Sequence, residues 1–196
     1  MKKRPKEALK SPTTDVARIT GKLMSRGFRR GERRDGKSGL YVILIDDPNA
    51  LCDVLIDESR LLYVGMTSPK RRSSVRDHFD CDHSGGSTVR RSLGALLKEK
   101  LPPCLRAIRR SSGPSPTNWR NYRFQGEGEA ALTQWMKQHL CTNFVELVGE
   151  RKTVRRREIE VIKRLMPPLN LTDWENSQGA TIKRLRKLCT NEARHS

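Results

Sequence analysis

Two short apolar runs lie close together in the first third of the chain. Leu40-Tyr-Val-Ile-Leu-Ile45 ends at Asp46-Asp-Pro-Asn, and Leu61-Leu-Tyr-Val-Gly65 follows a polar loop. Runs of this length, bounded by turn residues and rich in branched side chains, predict two strands in an antiparallel pair. Elsewhere the apolar positions recur at helical spacing. Val16, Ile19 and Leu23 share one face of a helix that Thr13 or Thr14 can cap and that ends near Gly27. Residues 70–79 predict a short helix, closed off by Gly85-Gly86. Val89, Leu93, Leu96 and Leu97 line another, capped by Ser87 or Thr88 and stopped by Pro102-Pro103.

The second half continues this mixture. Residues 111–118 are loop, and Asn121–Gln125 predicts a brief strand. A helix from Glu127 to Leu140 turns Leu132, Trp135, Met136 and Leu140 inward, and Phe144–Val148 alternates as a strand. A helix over Val154–Met166 ends at Pro167-Pro168, and a basic helix covers about Thr181–Leu188. Helices interleaved with a few short strands predict an α/β (α+β) fold, a small central antiparallel β-sheet flanked by helices. No internal repeat is visible.

Charge narrows the function. Forty Lys and Arg against 22 Asp and Glu leave a net +18 over 196 residues. A polyanion is the default partner of such a chain, through phosphate neutralisation and counterion release. A ribosome-associated structural protein or a membrane-surface binder is the alternative. The basic run Arg29, Arg30, Arg33 and Arg34 suits phosphate contacts or a solvated linker equally well. Five cysteines without a CxxC pair show neither a zinc ribbon nor a redox motif, and suggest a reducing, cytoplasmic setting. No segment reaches membrane-spanning length, so no membrane partner is expected.

One carboxylate stands where the pattern calls for an apolar residue. In the helix before Pro167, Val154, Ile159, Val161, Ile162, Leu165 and Met166 fall on one side, with Glu158 near its centre and Glu160 opposite. A carboxylate facing a core is unfavourable by several kcal/mol unless a cation or hydrogen bonds compensate it. Either Arg155 or another cation pairs with Glu158, or the side chain emerges into a cleft and binds a metal.

At this point the residues carry a family signature. Gly39-Leu40-Tyr41, followed after a loop by Tyr63-Val64-Gly65, resembles the two-part motif that names the GIY-YIG nucleases. A basic helix with Val75-Arg76-Asp77-His78-Phe79 comes next, and Glu158-Ile-Glu-Val-Ile-Lys-Arg-Leu-Met-Pro167-Pro-Leu-Asn170 looks like that family's Glu, Ile-Lys, Pro, Asn segment. Ser87–Leu97 and Leu132–Met136 look like one bacterial branch. The resemblance spans residues 38–172, leaving a basic N-terminal arm with a short helix (1–37) and a basic helical extension (173–196).

The resemblance implies phosphodiester hydrolysis with Mg2+ or Mn2+, and DNA as partner. It makes Tyr41 and Tyr63 the paired tyrosines, Glu158 the metal ligand, Asn170 a site-organising amide and Arg76 the phosphate-binding arginine, with Arg72 as competitor. His83 is the candidate accessory histidine, and Lys70 a candidate cation to tune the tyrosines. A guanidinium matches phosphate bidentately, and a tyrosine near cations can take a proton from water. A compact chain favours a sequence-specific, restriction-type endonuclease, with a homodimer or sequential nicking needed to cut both strands.

Other readings remain for the same residues. Either tyrosine suits a core aromatic, and Asn170 a turn. The Asp77–His83 cluster of Asp, His and Cys matches no standard zinc spacing. Trp119 and Trp174 are the tryptophans free to stack on bases, whereas Trp135 sits at core spacing. A non-catalytic nucleic-acid-binding protein on the same fold is the competing function.

Overall fold

A computed structural model of the chain describes residues 12–25, 37–51, 54–67, 76–79, 81, 83–102 and 104–196, excluding the side chains of 12–14 and 76–77. The elements are α1 (Pro12–Met24), β1 (Gly39–Ile45), β2 (Leu61–Thr67), α2 (Arg76–Phe79), α3 (Thr88–Leu96), β3 (Ala107–Ile108) and α4 (Pro116–Arg120). They continue as β4 (Arg123–Phe124), α5 (Gly126–His139), β5 (Leu140–Glu146), α6 (Arg151–Leu165) and α7 (Gly179–Arg194). Short 3-10 turns stand at Pro48–Leu51 and Ser84–Gly86.

Strands β2, β1 and β5 form an antiparallel sheet in that order, and β3 and β4 form a two-residue ribbon. β1 is central and buried from end to end, which is why its sequence reads as an unbroken apolar run. Tyr41, Ile43 and Ile45 face a core shared with Leu93 of α3, Leu132 and Met136 of α5 and Ile182 of α7. Leu40, Val42 and Leu44 face Ile19 and Leu23 of α1 and Val154, Val161 and Ile162 of α6. The small sheet flanked by helices is therefore the fold that the sequence predicts.

Several details differ from that expectation, among them β3 and a helix α4 that starts at Pro116 within the stretch expected as loop. β5 begins at Leu140, directly after the last residue of α5, and stops at Glu146, whereas alternation pointed to Phe144–Val148. Pairing with β1 from Ile45↔Leu140 to Gly39↔Glu146 sets the strand, and the buried Leu140-Cys-Thr142 segment need not alternate when both sheet faces are covered. The first helix ends at Met24, before Gly27. Residues 1–11, the Arg29–Arg34 run and most of the expected 70–79 helix lie outside the described residues. Helix α7, expected as an extension, contributes Ile182, Cys189 and Ala193 to the core.

The glycines of the two tripeptides are set by close approach. A Cβ on Gly65 would stand 2.4 Å from both Cζ and the hydroxyl oxygen of Tyr41, across the strand pair. A Cβ on Gly39 would stand 2.2 Å from the Val145 carbonyl oxygen. Neither position accepts a side chain without moving backbone or an aromatic ring.

Candidate active site

Helix α6 delivers Glu158 from its buried face into a cavity of about 330 Å3 that Tyr63, Asn170 and Asp173 also line. Glu158 is 6% exposed. Arg155, one turn earlier, donates through Nη1 to Glu158 Oε2 at 2.7 Å and through Nη2 to both Asp173 oxygens at 2.9 Å. The carboxylate is paired with Arg155 and also lines a cleft. Burial pushes its pKa above the usual carboxylate value, against the pull of Arg155. Asp173 keeps a left-handed backbone, φ 75, which aspartate tolerates better than most residues.

Only Oε2 of Glu158 has a hydrogen-bond partner among the described residues, so Oε1 is left to the cleft. Among those residues no three His, Cys, Asp or Glu side chains converge as a metal-binding group. One carboxylate with a free oxygen over a polar cavity fits a hard cation that keeps most of its waters, as magnesium does.

Beside this cavity, three rings gather around Tyr63. Tyr41 and Tyr63 have centroids 6.2 Å apart, and His78 of α2 lies 5.7 Å from Tyr41 and 6.0 Å from Tyr63. The Tyr41 hydroxyl meets His78 Nε2 at 2.6 Å, and His78 Nδ1 meets Ser87 Oγ at 2.7 Å. Burial, reinforced by the nearby Arg90 charge, lowers the His78 pKa to about 4, so the ring is neutral near pH 7. A neutral ring protonated on Nδ1 donates to Ser87 and leaves Nε2 to accept the Tyr41 proton. Tyr63 is pushed up to about 12, first by burial and then by Glu158, and so stays a phenol.

His78 makes the stability of the fold depend on pH. Its folded pKa is about 4 and its ordinary value 6.5, so below pH 6.5 the unfolded chain takes up a proton that the folded chain refuses. Stability contributed by the neutral ring is complete above pH 6.5 and is lost as pH falls towards 4, by about 3 kcal/mol. Urea unfolding between pH 7 and 4 is expected to show this loss, and His78→Gln to reduce it.

Asn170 closes the free edge of β2. Its Oδ1 accepts from Val64 N and its Nδ2 donates to Val64 O, both at 2.9 Å, and Leu169 N donates to Leu62 O at 2.9 Å. The turn after α6 is thus stitched to the strand that carries Tyr63. Asn170→Ala strands two buried backbone groups and is expected to cost about 2–4 kcal/mol, measured as a lower denaturant midpoint at unchanged slope.

The remaining expected residues fall as follows. Arg76 stands on α2 beside His78, with its side chain outside the described residues, as are Lys70 and Arg72. His83 sits at the Ser84–Gly86 turn and does not line the cleft. Trp174 donates its indole N–H to the Pro167 and Asn170 carbonyls, and Trp119 lies under the Arg109 and Arg194 guanidiniums at 5.9 and 6.0 Å. Sequence reasoning missed His78 as the partner of Tyr41, and missed Thr88 and Arg186 in the cleft wall. His78 had a signal, since it sits next to the buried Phe79 just after the second tripeptide, whereas Arg186 had none beyond the charge of its helix.

Paired tyrosines on neighbouring strands thus stand with one buried glutamate over a polar cleft, on a small antiparallel sheet flanked by helices. A family model described as the GIY-YIG catalytic domain matches residues 39–190, and the chain belongs to that family of nucleases. No curated protein and no solved structure matches the chain.

Proposed function

We propose that the protein is a DNA endonuclease that uses magnesium or manganese, of the compact, sequence-specific restriction type. The observation that carries this reading is Glu158, a buried carboxylate with one oxygen free on a cleft that also holds Tyr63 and Asn170. Glu158 would hold the cation, which when bound neutralises charge on the phosphate and the departing 3′ oxygen. Tyr41, held in place by its hydrogen bond to His78 Nε2, is the proposed base for the attacking water once a bound cation favours its phenolate, and Tyr63 orients the phosphate by its hydroxyl. Arg76, with Arg72 as the alternative, is the proposed phosphate arginine. Lys70 is the proposed cation near the tyrosines, and His83 the accessory histidine.

A net +18 and basic outer faces on α6 and α7 support a polynucleotide substrate. No helix among the described residues is long and apolar enough to cross a membrane. One site per chain nicks one strand, so linear product requires two chains or two encounters. The non-catalytic alternative is favoured by one observation, the Arg155 guanidinium that already occupies Glu158 Oε2. Supercoiled plasmid incubated with magnesium or with chelator separates the two. Nicked or discrete linear product that appears only with the metal is the expected result, and binding without cleavage under either metal would overturn it.

A further inference from the structure

Two arginines lie side by side on α3 in opposite circumstances. Arg90 is fully buried and ion-paired: its Nη2 meets Glu129 Oε2 at 2.7 Å and Thr133 Oγ1 at 2.9 Å, its Nη1 donates to the His78 carbonyl at 3.0 Å, and its Nε alone lacks a partner. Arg91 is 7% exposed and has no carboxylate partner among the described residues. Its Nη1 donates to the Gly85 carbonyl at 2.7 Å, and its Nε is buried without a partner. Instead of an anion, Arg91 has Arg186 and Arg110 for charged neighbours; burial first, and then those charges, lower its pKa to about 10.

A buried guanidinium among like charges works against the fold unless something outside the chain completes it. The three arginines come from separate places: Arg91 from α3, Arg186 from α7 and Arg110 from the segment after β3. Gly85 sits between two of them. Its carbonyl holds Arg91, and a Cβ on it would stand 2.9 Å from Cγ and Cδ of Arg110. Arg186 also lines the cavity of Tyr63 and Glu158, beside Thr88, the first residue of α3. The positive end of that helix faces the same region, with Ser87 Oγ taken up by the Arg90 N–H.

We propose that Arg91, Arg186 and Arg110 form a second phosphate site, which binds a backbone phosphate of the DNA beyond the one being cut. A polynucleotide lying across the cleft presents phosphates at regular spacing, and guanidiniums match them by bidentate bonds. The choice of DNA as source rests on the nuclease reading, while the anion site itself rests only on the arginines.

Binding of a short DNA duplex to the full chain, in chelator and over a range of salt, tests the proposal apart from catalysis. Arg186→Gln and Arg110→Gln, and Arg91→Gln beside them, are each expected to weaken binding several-fold and to reduce the salt slope by about one. Thermal melts with inorganic phosphate as probe are expected to show stabilisation of the native chain that shrinks in all three. Without phosphate, Arg91→Gln should melt no lower than the native chain, since it removes an uncompensated charge. A lower melt of Arg91→Gln with an unchanged slope in all three variants would make Arg91 structural and overturn the site. Phosphate stabilisation with unchanged DNA binding would overturn the assignment to DNA.

Discussion

Glu158→Gln is expected to leave a folded protein that cleaves DNA at least about a thousandfold more slowly, a loss of about 4 kcal/mol of transition-state stabilisation. The substitution keeps the shape of the side chain and an oxygen on the cleft, and removes only the charge that a cation needs. Stability should change little, because the carboxylate is already disfavoured by burial and Arg155 keeps its two bonds to Asp173. The pH profile supplies a second check. The pKa of Glu158 is raised, so native activity should fall on the acid side below that raised value, where the neutral acid no longer holds a cation. Stability runs the other way: the folded carboxyl holds its proton more tightly, so this residue's contribution weakens as pH rises from the unfolded to the folded pKa. Plasmid nicking and urea unfolding, measured on the same preparation, separate the two effects. Native-like cleavage by Glu158→Gln would remove this residue from the metal role.

Much of this was visible before the fold was known. The unbroken apolar run of β1, the helix faces of α3 and α5 and the misplaced Glu158 were legible because burial imposes periodicity, and a carboxylate on an apolar face breaks it. The glycines of the two tripeptides were legible as a motif, but their reason was not, since the approach of the Tyr41 ring to Gly65 depends on cross-strand register. Strand β3 was missed because two residues carry no period, and β5 was misplaced because its partner strand sets its limits. The pairing of Tyr41 with His78 joins residues 37 positions apart, and Arg91 lacks a carboxylate partner among the described residues because of what the fold brings around it. Neither is a property of any local stretch of sequence. Arg155 was named as a partner of Glu158 because a one-turn separation on a helix is local.

Tyr41→Phe is expected to lower the cleavage rate by about a hundred- to ten-thousandfold, the range usual for removal of a positioned acid or base. Electrostatics favours Tyr41 over Tyr63 as the base. Tyr63, held near 12 by burial and by Glu158, gives up its proton reluctantly and suits an orienting hydroxyl. Tyr41 has a neutral imidazole 2.6 Å from its oxygen, which takes its hydrogen bond and fixes where the hydroxyl points. Loss of the hydroxyl leaves His78 Nε2 without that buried partner, at a cost to stability of about 1–3 kcal/mol. Rates must therefore be compared at a temperature where unfolding curves show both proteins fully native. His78→Gln keeps a polar partner for Tyr41 but not a basic nitrogen, so it should slow cleavage while leaving DNA binding in chelator unchanged. Tyr63→Phe should act more through KM, as a group that holds the phosphate would. Native-like rates in Tyr41→Phe, with cleavage abolished in Tyr63→Phe, would transfer the base to Tyr63 and make the Tyr41–His78 pair a structural bond beneath it.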